Sequence, residues 1–244
     1  MPNWPSNSQS INRIVAVQIA SLHDLSAVSD ERNANWLTDS ELARYQSISA
    51  SNRKKQFLAG HFLVRKMASD IFGNLSADWT YIQDAENHRR LKCNQDGLPE
   101  LFCSISHSGE WVTASVSETP VGIDIETFDR QRDFIAIARH VFSRDEVFQL
   151  EKCDAQELKK AFYLHWTLKE SIAKQYGAGL KFEISRSHQP VRVSDTATAA
   201  LHSWQCLDYV VSLACDTENE IRTSGLCEDA IYQAWQNIPV TLPT

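Results

Sequence analysis

The chain is short of the two residues that interrupt regular structure, with 8 glycines and 7 prolines among 244 residues. With 43% hydrophobic and 23% charged residues, that scarcity excludes a disordered or collagen-like chain and leaves one able to bury a core. No apolar run approaches the roughly 20 residues of a membrane helix. The opening MPNWPSNSQS lacks the basic and apolar regions of a signal peptide. A cytoplasmic protein with no membrane partner is therefore expected. An excess of basic charge is also missing: 24 Lys and Arg face 31 Asp and Glu, a net charge of −7. That argues against nucleic acid as a partner but leaves room for a local anion pocket. The P-loop pattern, the Gly-x-Gly-x-x-Gly fingerprint and the Gly-x-Ser-x-Gly elbow are absent. P-loop ATP chemistry, a Rossmann domain and an α/β-hydrolase are disfavoured accordingly. Cys93, Cys103, Cys153, Cys206, Cys215 and Cys227 form no Cys-x-x-Cys pair and read as free thiols in a reducing compartment.

What is present has the rhythm of an α+β protein. Residues 14–20 (IVAVQIA) predict a strand, and Thr38 with Glu41 has the spacing of a capping box that starts a helix. A second helix is expected from Lys55 to Phe72, ending at Gly73. Short strands are expected at Trp79–Ile82, Arg90–Cys93 and Trp111–Val116, with Asp96–Pro99 as a turn. Ser143 and Glu146 form a second capping box, and a long helix should run from Leu158 to Tyr176 and end at Gly177. Strands at Phe182–Ile184, Val191–Val193 and Tyr209–Ala214 should follow. Sliding Leu58–Gly73 by 104 positions lays it on Phe162–Gly177, matching His61 with His165 and Arg65 with Lys169. Residues 111–116 likewise resemble 209–214. These echoes predict two pseudo-symmetric lobes from an internal duplication, residues 1–118 and 119–244, with the active site in the cleft between them.

Three segments bear chemistry. In Val121-Gly-Ile-Asp-Ile-Glu126 the alternation puts Asp124 and Glu126 on one face, with Cα atoms about 6.6 Å apart at strand rise. A half-exposed strand and an oxygen-rich site for a hard cation both remain open for it. On the long helix Glu170 and Lys174 extend the i, i+4 stripe of Leu158, Phe162 and Trp166. They form either a surface ion pair or a functional continuation of a buried stripe. Phe102-Cys-Ser-Ile-Ser-His-Ser-Gly109 reads as a loop whose hydroxyls, imidazole and backbone N–H groups suit phosphate oxygens. Arg53-Lys-Lys55 adds local positive charge.

In order and spacing, Ser104–Gly109, Val121–Glu126, Trp166–Ser171 with Lys174, and Gly177-Ala-Gly179 resemble the blocks of the 4′-phosphopantetheinyl transferase superfamily. The likeness is to its long, two-lobed form, typified by surfactin-synthetase activating enzymes, and spans roughly residues 40–215. It implies an enzyme of the holo-acyl-carrier-protein synthase kind. Such an enzyme moves the 4′-phosphopantetheine arm of coenzyme A to a serine of an apo acyl or peptidyl carrier protein and releases adenosine 3′,5′-bisphosphate. The same resemblance implies Mg²⁺ held by Asp124, Glu126 and Glu170, with Glu170 also the general base and Lys174 stabilising pyrophosphate charge. Arg53, Ser106, His107, Asp124, Lys169 and Lys174 are the implied coenzyme A contacts.

A monomer is expected, because both halves of the site lie in one chain. The carrier should dock along residues 177–207, with Lys181, Arg186 and Arg192 as candidate contacts. Lys66, which matches Glu170 in the internal alignment, is expected to offer a cation from the opposite lobe. Gly97-Leu98-Pro99 departs from the family's Gly-Lys-Pro, which implies a lost ionic contact to the nucleotide. Ser104 stands where the family commonly has Asn, and His61 where Arg is frequent. Two further classes compete with the transferase: a non-catalytic binder of coenzyme A or carrier, and a different Mg²⁺ phosphotransferase that uses a nucleotide.

Overall fold

Helix starts are set by local chemistry, and both capping boxes form. Thr38 and Glu41 reciprocate across the first turn of α1 (Asp39–Gln46), with the Thr38 N–H donating to Glu41 Oε2 at 2.8 Å. The computed structural model describes residues 14–28, 31–178, 188–194, 196, 199–217 and 219–239, and strand β1 (Ile14–Ser21) comes before α1. After α1 comes α2 (Ser51–Phe72), which begins four residues before the expected Lys55 and ends at Gly73. Four antiparallel strands follow: β2 (Trp79–Gln83), β3 (Arg89–Cys93), β4 (Leu101–Ser108) and β5 (Trp111–Ser117). β4 corrects the loop expected at 102–109, and only the turn at Gly109 and Glu110 is irregular.

β6 (Gly122–Thr127) opens the second half. Next come α3 (Phe134–Val141), capped by Asp133, and α4 (Arg144–Leu150), started by the Ser143–Glu146 box. α5 (Ala155–Gln175) begins three residues before the expected Leu158, because Asp154 accepts from the N–H groups of Gln156 and Glu157. The chain closes with β7 (His188–Val193), β8 (Leu201–Gln205), β9 (Tyr209–Ala214), β10 (Glu220–Ser224) and β11 (Ile231–Pro239). The strand expected at Phe182–Ile184 lies outside the described residues.

Two sheets result, ordered β10-β1-β5-β4-β3-β2 and β6-β9-β8-β11-β7. From β1 and from β6 the pairing runs antiparallel in the same sequence. One strand, β10, cuts across the division at residue 118, and another leaves sequence order within the second sheet. β10 comes from the second half but pairs in parallel with β1 in the first sheet, and β11 inserts between β8 and β7. The alternation of each strand sorts its side chains into layers. In β1, Ala16 faces α2 while Val15, Val17 and Ile19 face the second sheet, where they meet Ile123, Ile125, Val211 and Leu213. On its other face the second sheet carries α5 through Leu168, Ile172, Leu201, Ala214 and Trp235. The stack is α2, sheet, sheet, α5. Trp111 and Tyr209, matched in the internal comparison, meet across the sheet interface with ring centroids 4.6 Å apart.

Cys206 and Cys227 are disulfide-bonded, which corrects the expectation of six free thiols. Twenty-one residues separate them in sequence, and the β8–β9 turn and the β10–β11 connection bring them together beside the inter-sheet core. Cys93, Cys103, Cys153 and Cys215 are free. Among the described residues no helix is long and apolar enough to cross a membrane.

Candidate functional site

β6 is an edge strand, and its edge lies along β4 of the first sheet. Three alternate serines on one face of β4 join the two. Ser104 Oγ accepts the Ile123 N–H at 3.1 Å, Ser106 Oγ donates to Asp124 Oδ1 at 2.6 Å, and Ser108 Oγ donates to Glu126 Oε2 at 2.7 Å. Ser106 is thus committed to orienting a carboxylate, and it is buried. His107 points to the opposite face, where its ring meets the guanidinium of Arg53 on α2. Burial and then the neighbouring cations Arg53 and Lys174 lower its pKa to about 4, so the imidazole is neutral at pH 7. The two residues expected to form one phosphate-contacting loop therefore face different ways from a strand.

On its other side β6 presses against α5. Gly122 is needed there, since a Cβ would stand 1.9 Å from the Ser171 carbonyl oxygen. That approach brings the end of α5 to the carboxylates. Lys174 Nζ donates to Asp124 Oδ1 at 2.8 Å and to the Ile123 carbonyl at 2.9 Å. Asp124 is buried, and its second oxygen, Oδ2, has no hydrogen-bond partner. Burial raises the Glu170 carboxyl to about 7; repulsion from Asp124 and Glu126 adds to this and Lys174 opposes it. Glu126 is raised as well, by burial first and by Asp124, against the Ser108 hydrogen bond. Asp124, Glu126, Glu170 and Lys174 are therefore one electrostatic unit. A half-exposed strand and a solvated ion pair do not describe it.

Those residues fit a hard cation. A buried carboxylate oxygen lacks a partner, two more carboxylates feel its charge, and each donor is oxygen, the ligand type that Mg²⁺ takes. Among the described residues no three His, Cys, Asp or Glu side chains are already gathered closely enough to hold a metal ion.

Lys169 is elsewhere. It is buried, ion-paired with Glu146 at 3.0 Å, and donates to the His188 carbonyl at 2.6 Å. The Lys169 ammonium expected to meet coenzyme A is thus engaged with Glu146 and the His188 carbonyl. Its counterpart Arg65 makes the matching contact to Glu41 at 2.7 Å, with His61 2.6 Å from the other oxygen. In each half the glutamate of a capping box reaches a histidine and a cation one turn apart on the long helix. Lys66 is engaged within α2, 2.6 Å from Asp70, so the cation expected from the opposite lobe is not directed at the carboxylates.

A cavity of about 250 Å³ adjoins the unit, lined from both halves by Tyr81, Arg89, Phe102, Ser104, Val121 and Lys174 among others. Arg89 was not singled out from sequence. Its Nη1 is buried without a hydrogen-bond partner, and the residue adds positive charge to the cavity lining. Leu98 packs against the core between α2 and the first sheet. A smaller cavity beside it is lined by Arg44, Arg53, Phe57, His61 and His107. Of the candidate docking residues, Arg192 is exposed on β7, while Lys181 and Arg186 lie outside the described residues.

A model of the 4′-phosphopantetheinyl transferase superfamily matches residues 120–214, which carry β6, α5 and their carboxylates. The 4′-phosphopantetheinyl transferase Sfp of Bacillus subtilis is 30% identical over 174 residues, covering 70% of this chain and 75% of that protein. The chain belongs to this superfamily. Another Bacillus subtilis member, the transferase ffp, is 32% identical over 65% of this chain and 75% of its own length. The transferase psf-1 of Bacillus pumilus is 27% identical over 82% of this chain and 85% of its own. A crystal structure of Helicobacter pylori holo-[acyl-carrier-protein] synthase with coenzyme A overlaps 42% of this phosphopantetheinyl transferase and 97% of that chain. The TM-score is 0.34 and the identity 16%, too slight a likeness to build on.

Proposed function

We propose that this transferase moves the 4′-phosphopantetheine arm of coenzyme A to a serine hydroxyl of an apo acyl or peptidyl carrier protein. Adenosine 3′,5′-bisphosphate leaves, and Mg²⁺ is held by Asp124, Glu126 and Glu170. The observation that carries the reading is the buried, unpartnered oxygen of Asp124 inside a cluster of three interacting carboxylates, beside a cavity lined by Arg89 and Lys174. A bound Mg²⁺ would supply charge neutralisation for the pyrophosphate.

Attack on phosphorus demands alignment and charge stabilisation more than covalent help. Lys174, fixed by Asp124 and the Ile123 carbonyl, holds a positive charge at the pyrophosphate. Arg89 and the neutral His107 with Arg53 line the two adjoining cavities and take the remaining phosphate and nucleotide. Glu170, on the turn of α5 that adjoins Asp124 and Glu126, accepts the serine proton. The hydroxyl oxygen bonds to the β-phosphorus as the bond to the α-phosphate oxygen breaks, and the bisphosphate leaves with that oxygen. One chain carries every group in this scheme, so the working unit is a monomer.

Intact-protein mass spectrometry tests the reading. An apo carrier mixed with the protein, coenzyme A and Mg²⁺ should gain one phosphopantetheine arm, and the gain should vanish with EDTA or with Asp124→Ala. Coenzyme A binding without modification of any fatty-acid or peptide carrier would instead establish the binding-protein reading.

A further inference from the structure

The last carbonyls of a helix have no partner within it and are satisfied from outside or by water. α5 ends beside the site, and its final turn is closed by N–H bonds from Tyr176, Gly177 and Ala178 to Ile172, Lys174 and Ala173. Two carbonyls of this turn are taken by the other half of the chain. Asn87 Nδ2 donates to the Gly177 carbonyl at 2.7 Å, and His88 Nε2 lies 3.1 Å from the Gln175 carbonyl. Both residues belong to the turn that joins β2 to β3.

That turn is braced for the task. Asp84 accepts from the N–H groups of Glu86 and His88 and from Arg90 Nε. Gln83 donates to Asn87 Oδ1, which orients the amide nitrogen toward α5. Asn87 sits at φ 71°, a left-handed conformation that asparagine and glycine tolerate. Gly177 sits at φ 65°, and a Cβ there would lie 2.5 Å from the Glu86 carbonyl oxygen. Helix end and turn meet backbone to backbone.

Immediately after the turn comes Arg89, and immediately before the helix end comes Lys174. Both line the same cavity, together with Asn87, His88, Gly177 and Ala178. A ligand with several phosphate oxygens could therefore bridge the two elements that these contacts already join. We propose that Asn87 and His88 are positioning residues: they cap α5 from the opposite sheet and hold Lys174 at a fixed separation from Arg89, so that the cavity is preformed for the phosphates of coenzyme A. The inference rests on the transferase reading for the identity of that ligand. The clasp itself does not depend on it.

Asn87→Gly and Asn87→Asp separate the hydrogen bond from the backbone. Both tolerate positive φ, and neither can donate to the Gly177 carbonyl. Loss of one such bond should raise the KM for coenzyme A about three- to tenfold, with the KM for the carrier unchanged. Calorimetry of coenzyme A binding with Mg²⁺ should show the same factor. Hydrogen exchange at the amides of 176–178 should quicken in both variants without any ligand. Unchanged exchange would overturn the clasp. Faster exchange with unaltered coenzyme A affinity would overturn its positioning role, as would an equal rise in both KM values. A wild-type protein that modifies no carrier would defeat the transferase reading instead, and exchange would still decide the clasp.

Discussion

Gly122→Ala is the most direct test of how this fold builds its site. Gly122 lies two residues before Asp124, and its missing side chain would sit 1.9 Å from the Ser171 carbonyl oxygen, 2.5 Å from the Gln175 nitrogen and 3.0 Å from Lys174 Cβ. Carbon and carbonyl oxygen approach to about 3.3 Å at the closest, so strand and helix must part by about 1.4 Å. The atoms in the way are mostly backbone, so no side-chain rotation relieves the clash. The displaced stretch of α5 runs from Ser171 to Gln175 and carries Lys174, with Glu170 next to it. Crowding of this kind costs about 1–3 kcal/mol, which for a chain of this size lowers Tm by about 2–12 °C. A misplacement of about 1 Å at a reacting centre can reduce turnover about a hundredfold. Thermal unfolding and carrier modification, measured on the same preparation, should show a folded protein, slightly less stable, with kcat/KM down by about two orders of magnitude. Turnover within threefold of wild type would refute the claim that the contact at Gly122 sets the distance between the two halves of the cluster.

Glu170→Gln, nearly isosteric, should keep Tm within a few degrees and lower kcat by at least about a hundredfold, the scale of general-base catalysis; near wild-type turnover would remove Glu170 from that role. Burial alone would raise Glu41 and Glu146, but hydrogen bonds and cations outweigh it and hold each carboxyl at about 2 against 4.5 when unfolded. A depressed carboxylate stabilises the fold fully above its unfolded pKa and loses that contribution as pH falls. Each should therefore contribute on the order of 3 kcal/mol near pH 6, lost between about pH 5 and 2. Urea unfolding across that range should show the loss, and Glu146→Gln should flatten the curve. Reduction of Cys206–Cys227, whose ends are 21 residues apart, should lower stability by about 3 kcal/mol on loop entropy. A Cys206→Ser variant should show no response to dithiothreitol.

Features with local causes were legible before the fold was known. Thr38 and Ser143 announce helices through side-chain oxygens three residues from a glutamate, and Asp124 and Glu126 share a face because strands alternate. Longer-range features were hidden for identifiable reasons. Residues 102–108 suggest a loop because serine and histidine are not typical strand residues. Yet Ser104, Ser106 and Ser108 recur at period two, and their common face is buried against β6, where they serve as hydrogen-bond partners. Lys169 adjoins Glu170 in sequence but projects about 100° around the helix, toward Glu146, 23 residues earlier. Arg89 gains its meaning only when α5 is laid beside it, and the pairing of Cys206 with Cys227 has no spacing signature. The 104-residue echo pointed to twin helices, but nothing in it revealed that late strands cross into earlier positions.

The place of β10 bears on how the chain is made. β1, the first strand described, sits inside its sheet, with β5 along one edge and residues 220–224 along the other. During synthesis from the amino terminus, β5 can pair with β1 early, but the opposite edge stays open until residues 220–224 have emerged. An open strand edge is a template for unwanted pairing. The nascent protein therefore carries that hazard from the emergence of β1 until β10 follows, and a ribosome stalled before residue 220 would leave the edge bare.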